Sequence, residues 1–219
     1  RNRVDSYLFE TALNFGIAPH RKAAEPVVEK ALLSVGLSLA EVSGKYPNQF
    51  SGGELQRVSI ARALITNPGI IIADEPVAMI DASLRMNIVN LFRKLKQEYR
   101  VSFVYITHDL STAYYVSDYI MIMYRGNMIE FGRAQTILEH PGHPYTRLLL
   151  DSIPRVGLLW DNNMVLPDLD SKEYLLSGCK FSGRCPHATE DCRTQKPVWV
   201  SLGPEQRVYC RSPQIDNQA

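Results

Sequence analysis

Asp74 and Glu75 stand side by side where the apolar run Ile70-Ile71-Ile72-Ala73 meets Pro76. The ends of strands are where open α/β sheets bind ligands. Two acids there supply what phosphoryl transfer needs: one to hold a divalent cation, one to orient the attacking water. One helix upstream lies Phe50-Ser51-Gly52-Gly53-Glu54-Leu55-Gln56-Arg57. Ser51 with Glu54 three residues later forms a capping box, which any helix start could use. The paired glycines ask for more, since a helical Gly costs about 1 kcal/mol relative to Ala. Stripped of side chains, backbone N–H groups at a positively polarised helix end can approach an anion. A third group, His108, follows a second apolar run, Val101 to Ile106, as Thr107-His108-Asp109. The fourth set is Cys179, Cys185, Cys192 and Cys210, which all fall in the last 41 residues with gaps of five, six and seventeen. Two disulfides, a zinc site lacking the usual close Cys pairs, scattered structural thiols and a Cys₄ iron–sulfur centre are all open to such a set.

The Ser-Gly-Gly-x-x-Gln-Arg helix followed by a strand ending in Asp-Glu-Pro resembles the ATP-binding subunits of ABC transporters. The first piece matches their signature motif and the second their Walker B strand. The resemblance implies ATP and Mg²⁺ as cofactors, with Asp74 holding the metal and Glu75 polarising water. His108 takes the place of the switch histidine that senses the γ-phosphate. Asp81 takes that of the D-loop carboxylate at the dimer contact. Ser51, Gly52, Gly53, Glu54 and Gln56 would complete the nucleotide site of a second ATP-binding subunit in trans. Val77, Met79 and Ile80 depart from the usual Pro-Thr-Thr/Ser-Ala-Leu-Asp run, which puts details of subunit contact in doubt.

His140-Pro141-Gly142-His143-Pro144-Tyr145-Thr146-Arg147 narrows the likeness to the extension of oligopeptide/dipeptide-type importers. Locally it reads as a turn opening a helix at Pro144, with no chemistry assigned. Similar extensions carry a [4Fe–4S] centre, so the resemblance favours a structural cluster at the four cysteines. Further partners implied are membrane permease subunits and, indirectly, an extracytoplasmic solute-binding protein. The implied place is the cytoplasmic face of the membrane. No Gly-x-x-x-x-Gly-Lys-Ser/Thr loop occurs and residue 1 is Arg. The expectation is therefore the C-terminal portion of a longer subunit, inactive alone for want of a phosphate cradle.

The positioning elements follow from period and punctuation. Val4, Leu8, Ala12 and Phe15 share a helix face, and Pro26 suits the first turn of a helix reaching Gly36. Leu55, Val58, Ala61, Leu64 and Ile65 line the signature helix, 52–66, which Asn67-Pro68-Gly69 ends. Asp81 is placed to cap a helix over 82–98 with Leu84, Ile88, Leu91 and Leu95 buried. Residues 117–124 and 128–131 read as two strands about Arg125-Gly126-Asn127. The expected class is α/β: a partial P-loop NTPase (ABC ATPase) core with a helical subdomain and a small Cys-rich extension. Its expected divisions are 1–66, 67–133 and 134–219.

Composition sets the outer bounds. Apolar residues are 45% and charged ones 21%, as in an ordinary globular chain with a sizeable core. A net charge of +1 gives no field that would draw nucleic acid or an anionic membrane. Two other readings stay open: a soluble ABC-type ATPase acting on nucleic acid or ribosomes, and a truncated module that docks without turnover. The first usually brings coiled coils or strongly basic segments, neither seen here.

Overall fold

The computed structural model describes residues 2–78, 80–153 and 171–213. The chain forms two compact units, 1–116 and 117–219. The expected 67–133 core is divided between them.

In the first unit α1 (Val4–Asn14), α2 (Arg21–Ser34), α3 (Leu39–Val42) and α4 (Gly52–Ile65) pack together. Val4, Leu8 and Ala12 are buried as their spacing predicts, but Phe15 is 66% exposed. The helix stops at Asn14, and Phe15 is already its C-cap. Pro26 also lies elsewhere than expected. His20 caps from outside, its side chain accepting from the Ala23 N–H, so α2 begins at Arg21 and Pro26 falls inside it. In α4, Val58, Ala61 and Ile65 are buried, while Ile60, outside the expected stripe, joins them. Arg57 Nη1 donates to Val35 O at 3.2 Å. A side chain at Gly36, whose φ is +77°, would press on that guanidinium.

β1 (Ile70–Asp74) pairs in parallel with β2 (Ser102–Ile106), and α5 (Ala82–Tyr99) connects them. Phe92 of α5 meets Phe103 and Tyr105 edge-on, at 5.1 and 5.6 Å between ring centres. That contact fixes the buried face as Ile88, Val89, Leu91, Phe92 and Leu95. Leu84, expected in it, is 40% exposed. An 18-residue helix is ~27 Å long against ~17 Å for a five-residue strand, so about two turns must overhang. The opposite face of the strand pair leaves Ile70, Ile72, Val104 and Ile106 open. α6 (Leu110–Val116) closes the unit.

The expected hairpin forms in the second unit, as β3 (Tyr119–Tyr124) and β4 (Asn127–Arg133). It does not extend the β1–β2 sheet. β4 instead pairs with β6 (Gln206–Tyr209), and β6 with β5 (Trp199–Gly203), giving the antiparallel order β3-β4-β6-β5. Gly132 permits that pairing, because a Cβ there would collide with the Glu205 carbonyl of the incoming C-terminal hairpin. α7 (Ala134–Glu139), α8 (Pro144–Asp151) and α9 (Glu190–Thr194) complete it, with Pro144 opening α8 as predicted. Among the described residues no helix is long and apolar enough to cross a membrane.

Candidate functional site

The parallel strands of the first unit carry Asp74 and His108 to one end, because Asp74 pairs in register with Ile106. Glu75 continues the ladder, its N–H donating to Ile106 O at 2.9 Å. Its φ is +45°, the left-handed region that a non-glycine residue enters at a cost, typically at ligand sites. The turn brings the Glu75 carboxylate to 2.7 Å from His108 Nδ1. Both side chains are open to solvent, 37% and 82% exposed. Two groups 33 residues apart, one able to orient water and the other to hold or pass a proton, thus share a strand end. Asp74 is exposed beside them. Its carboxylate has no side-chain partner among the described residues.

The signature helix begins in the open. Ser51 Oγ accepts from the Glu54 N–H at 3.3 Å, and the Glu54 carboxylate takes both the Ser51 N–H and its hydroxyl at 2.8 Å. Those bonds, the backbone one foremost, hold the Glu54 carboxyl below the usual carboxylate range. Ser51 and Gly52 are exposed, Gly53 and Gln56 half-buried. A Cβ at Gly53 would meet nothing, so the first turn is bare on its outer side. Asp81 occupies the N-cap position of α5, but its side chain makes no cap bond, contrary to expectation. Only its carbonyl serves the helix, accepting from Leu84 N and Arg85 N, which leaves the carboxylate exposed.

In the second unit all four cysteines line one small cavity of about 20 Å³. All are free thiols. Each sulfur also meets a donor. Burial pushes the Cys179 and Cys185 thiols up and Cys210 up to about 11, partly offset by backbone N–H groups. Those groups belong to Phe181 and Ser182 for Cys179, His187 for Cys185 and Ser212 for Cys210. Cys192 Sγ accepts from Thr189 Oγ1 at 3.3 Å. Yet among the described residues no three His, Cys, Asp or Glu side chains are grouped as a ready metal site. The thiols converge without closing.

Sequence reading missed His143. Its side chain is 1% exposed and lines the same cavity, while its Nδ1 caps α8 by accepting from Tyr145 N at 3.0 Å. Burial lowers its pKa to about 4. The local signal, a histidine before proline, announced only the helix start.

Known proteins agree with this division of features. The ABC transporter family model matches residues 3–78. The model for the oligopeptide/dipeptide transporter C-terminal region matches 129–192. The oligopeptide transport ATP-binding protein AppF of Bacillus subtilis is 40% identical over 187 residues, 84% of this chain and 56% of AppF. The dipeptide transport ATP-binding protein DppF of Haemophilus influenzae is 42% identical over 90% of this chain and 60% of that protein. The chain spans little more than half the length of these relatives. A solved dimeric bacterial ABC transporter cassette is 30% identical, covering 58% of this chain and 56% of that one, with a TM-score of 0.49. The signature helix and acid-pair strand fall inside the first match, and three of the four cysteines inside the second. The chain belongs to the ABC transporter family, in its branch of oligopeptide/dipeptide-type ATP-binding proteins.

Proposed function

We propose that this chain is part of an ATP-binding subunit that couples ATP binding and hydrolysis to import of oligopeptides or dipeptides. The observation that carries the reading is the 2.7 Å contact between Glu75 and His108 at an open strand end. In it Glu75 draws a proton from the attacking water while His108 holds the carboxylate and meets the γ-phosphate. Asp74 would hold the Mg²⁺ ion, which would neutralise charge on the phosphates. Ser51, Gly52, Gly53, Glu54 and Gln56 face the triphosphate of a second subunit, homo- or heterodimeric, and Asp81 lies at that contact. Permease subunits anchor the pair at the cytoplasmic face of the membrane, and an extracytoplasmic solute-binding protein delivers the solute.

The four cysteines hold a structural [4Fe–4S] cluster in this reading. Its support is their sharing one cavity. Iron and acid-labile sulfide in anaerobically purified protein test it, and absence of both rejects it.

The main test is Glu75→Gln in a subunit that includes a phosphate-binding loop. ATP should still bind while turnover falls at least about 100-fold. Unchanged turnover would overturn the assignment. The 219 residues alone should hydrolyse ATP negligibly.

A further inference from the structure

Two buried polar atoms at the cysteine cavity go without a protein partner. His143 is 1% and Ser182 2% exposed, and both side chains line the cavity. Neither His143 Nε2 nor Ser182 Oγ has a hydrogen-bond partner among the described residues. Folded proteins leave few such atoms unmet, because each has lost its hydration on burial and gained nothing in return.

The tautomer of His143 fixes what Nε2 needs. Nδ1 accepts the Tyr145 N–H at 3.0 Å, so it carries a lone pair and the ring is neutral. The ring proton therefore sits on Nε2, which asks for an acceptor. The Ser182 hydroxyl can both donate and accept. Packing anchors both residues. Fully buried Glu130 takes the Gly142 and His143 N–H groups on its two carboxylate oxygens, at 2.8 and 3.0 Å. The Ser182 N–H donates to Cys179 O at 3.0 Å.

The size of the space selects the occupant. A volume of about 20 Å³ admits one water, which needs about 10–15 Å³, and excludes an organic ligand. Its polarity agrees. Cavities that stay dry are lined by apolar groups, whereas a buried water takes two to four polar partners. One water can accept from Nε2 and donate to Oγ, nearly as well as a direct bond would.

We infer that the cavity binds one ordered water, which accepts the His143 Nε2–H and donates to Ser182 Oγ. The water ties the start of α8 to the turn between Cys179 and Cys185. It belongs to the metal-free chain and would have to leave before any cluster formed there.

The experiment uses the full chain, assayed free of iron and labelled with ¹⁵N-histidine. It measures cross-relaxation between ring N–H protons and water. The His143 signal is assigned by its contact with the Phe181 ring, whose centre lies 6.0 Å away. The expected result is a pair of water cross-peaks at that N–H with opposite signs in the laboratory and rotating frames. Opposite signs mark a water held for longer than the chain takes to tumble. Ser182→Ala removes one of the two partners and should shorten the water's residence about tenfold, read by ¹⁷O relaxation dispersion. A His143 N–H that shows no water cross-peak, or that exchanges freely with bulk water, would overturn the inference. So would a residence that Ser182→Ala leaves unchanged. Cross-peaks that vanish when chloride replaces sulfate would give the space to an ion and overturn it as well. If the variant does not fold, the wild-type spectra in the two salts decide alone.

Discussion

The candidate site residues of the first unit and the buried polar cluster of the second are held in opposite ways. In the first, Ser51, Asp74, Asp81 and His108 are exposed and Glu75 is partly so. In the second, Glu130, His143 and Glu173 are 0%, 1% and 5% exposed, inside the fold. Groups that are to exchange water, cation and phosphate, as proposed for these, cannot be sealed among fixed partners. Groups that hold a loop in one shape can be, because low dielectric strengthens each bond they make. Glu173 illustrates the second case. Tyr124 donates to it at 2.6 Å, and Arg125 and Arg184 stand 2.8 and 3.3 Å away. Substitutions in the buried cluster of the second unit should therefore act on stability, and those in the exposed set of the first mainly on chemistry.

The largest stability effect is expected at Glu130. Its carboxylate receives the Gly142 and His143 N–H groups and Gln206 Nε2, the last at 2.8 Å. Glu130→Ala strands those donors, at about 1–3 kcal/mol for each left unmet, so a loss on the order of 3–5 kcal/mol is expected. Trp199 lies in β5 of the second unit, and the sequence of the first contains no tryptophan. Fluorescence should thus follow denaturation of the second unit, while the long helices of the first dominate circular dichroism. The fluorescence midpoint should fall and the dichroism midpoint hold. Equal shifts would mean that the units do not unfold separately and would break the comparison.

A smaller effect of acid sharpens the same contrast. Burial lowers His143 to about 4, against an ordinary value near 6.5 in the unfolded chain. Above pH 6.5 both states are neutral there and nothing is lost. Between about pH 6.5 and 4 the unfolded chain takes the proton first, so stability falls by about 3 kcal/mol in all. Below that the folded state protonates too and the slope ends. In metal-free protein the fluorescence transition should show this loss, and His143→Asn should flatten it. A slope that survives the substitution would assign the loss to other groups.

What the sequence revealed differs between the units for the same reason. In the first, the candidate site sits on motifs continuous in sequence, so Ser51 to Gln56 and Asp74-Glu75 were legible at once. His108 needed only the helix and strand that follow. Packing was less legible: Leu84 keeps the period of α5, but the overhang past β1 and β2 leaves it in water. In the second unit the arrangement is made by pairings across long loops. The capture of β4 by β6 spans 76 residues at Glu130 and Gln206, and no local period announces it. The cavity that gathers His143 with Cys210 arises from that pairing, which is why a histidine beside a proline looked like mere punctuation.

Ser51 is where the smallest energy separates the most. As the cap of α4 its hydroxyl accepts the Glu54 N–H, and Ser51→Ala should cost only about 1 kcal/mol of helix stability. That is roughly a fivefold change in the folded population, which a well-folded subunit barely registers. If the bare helix start also faces a partner's triphosphate, turnover of the full-length assembly should fall far more than stability. Ser51→Asn divides the two roles, because Asn caps as well as Ser but carries no hydroxyl. Denaturation should return Ser51→Asn to near wild-type stability while its turnover stays low. Restored turnover in Ser51→Asn would reduce Ser51 to a cap and leave the catalytic weight on Glu75 and His108 alone.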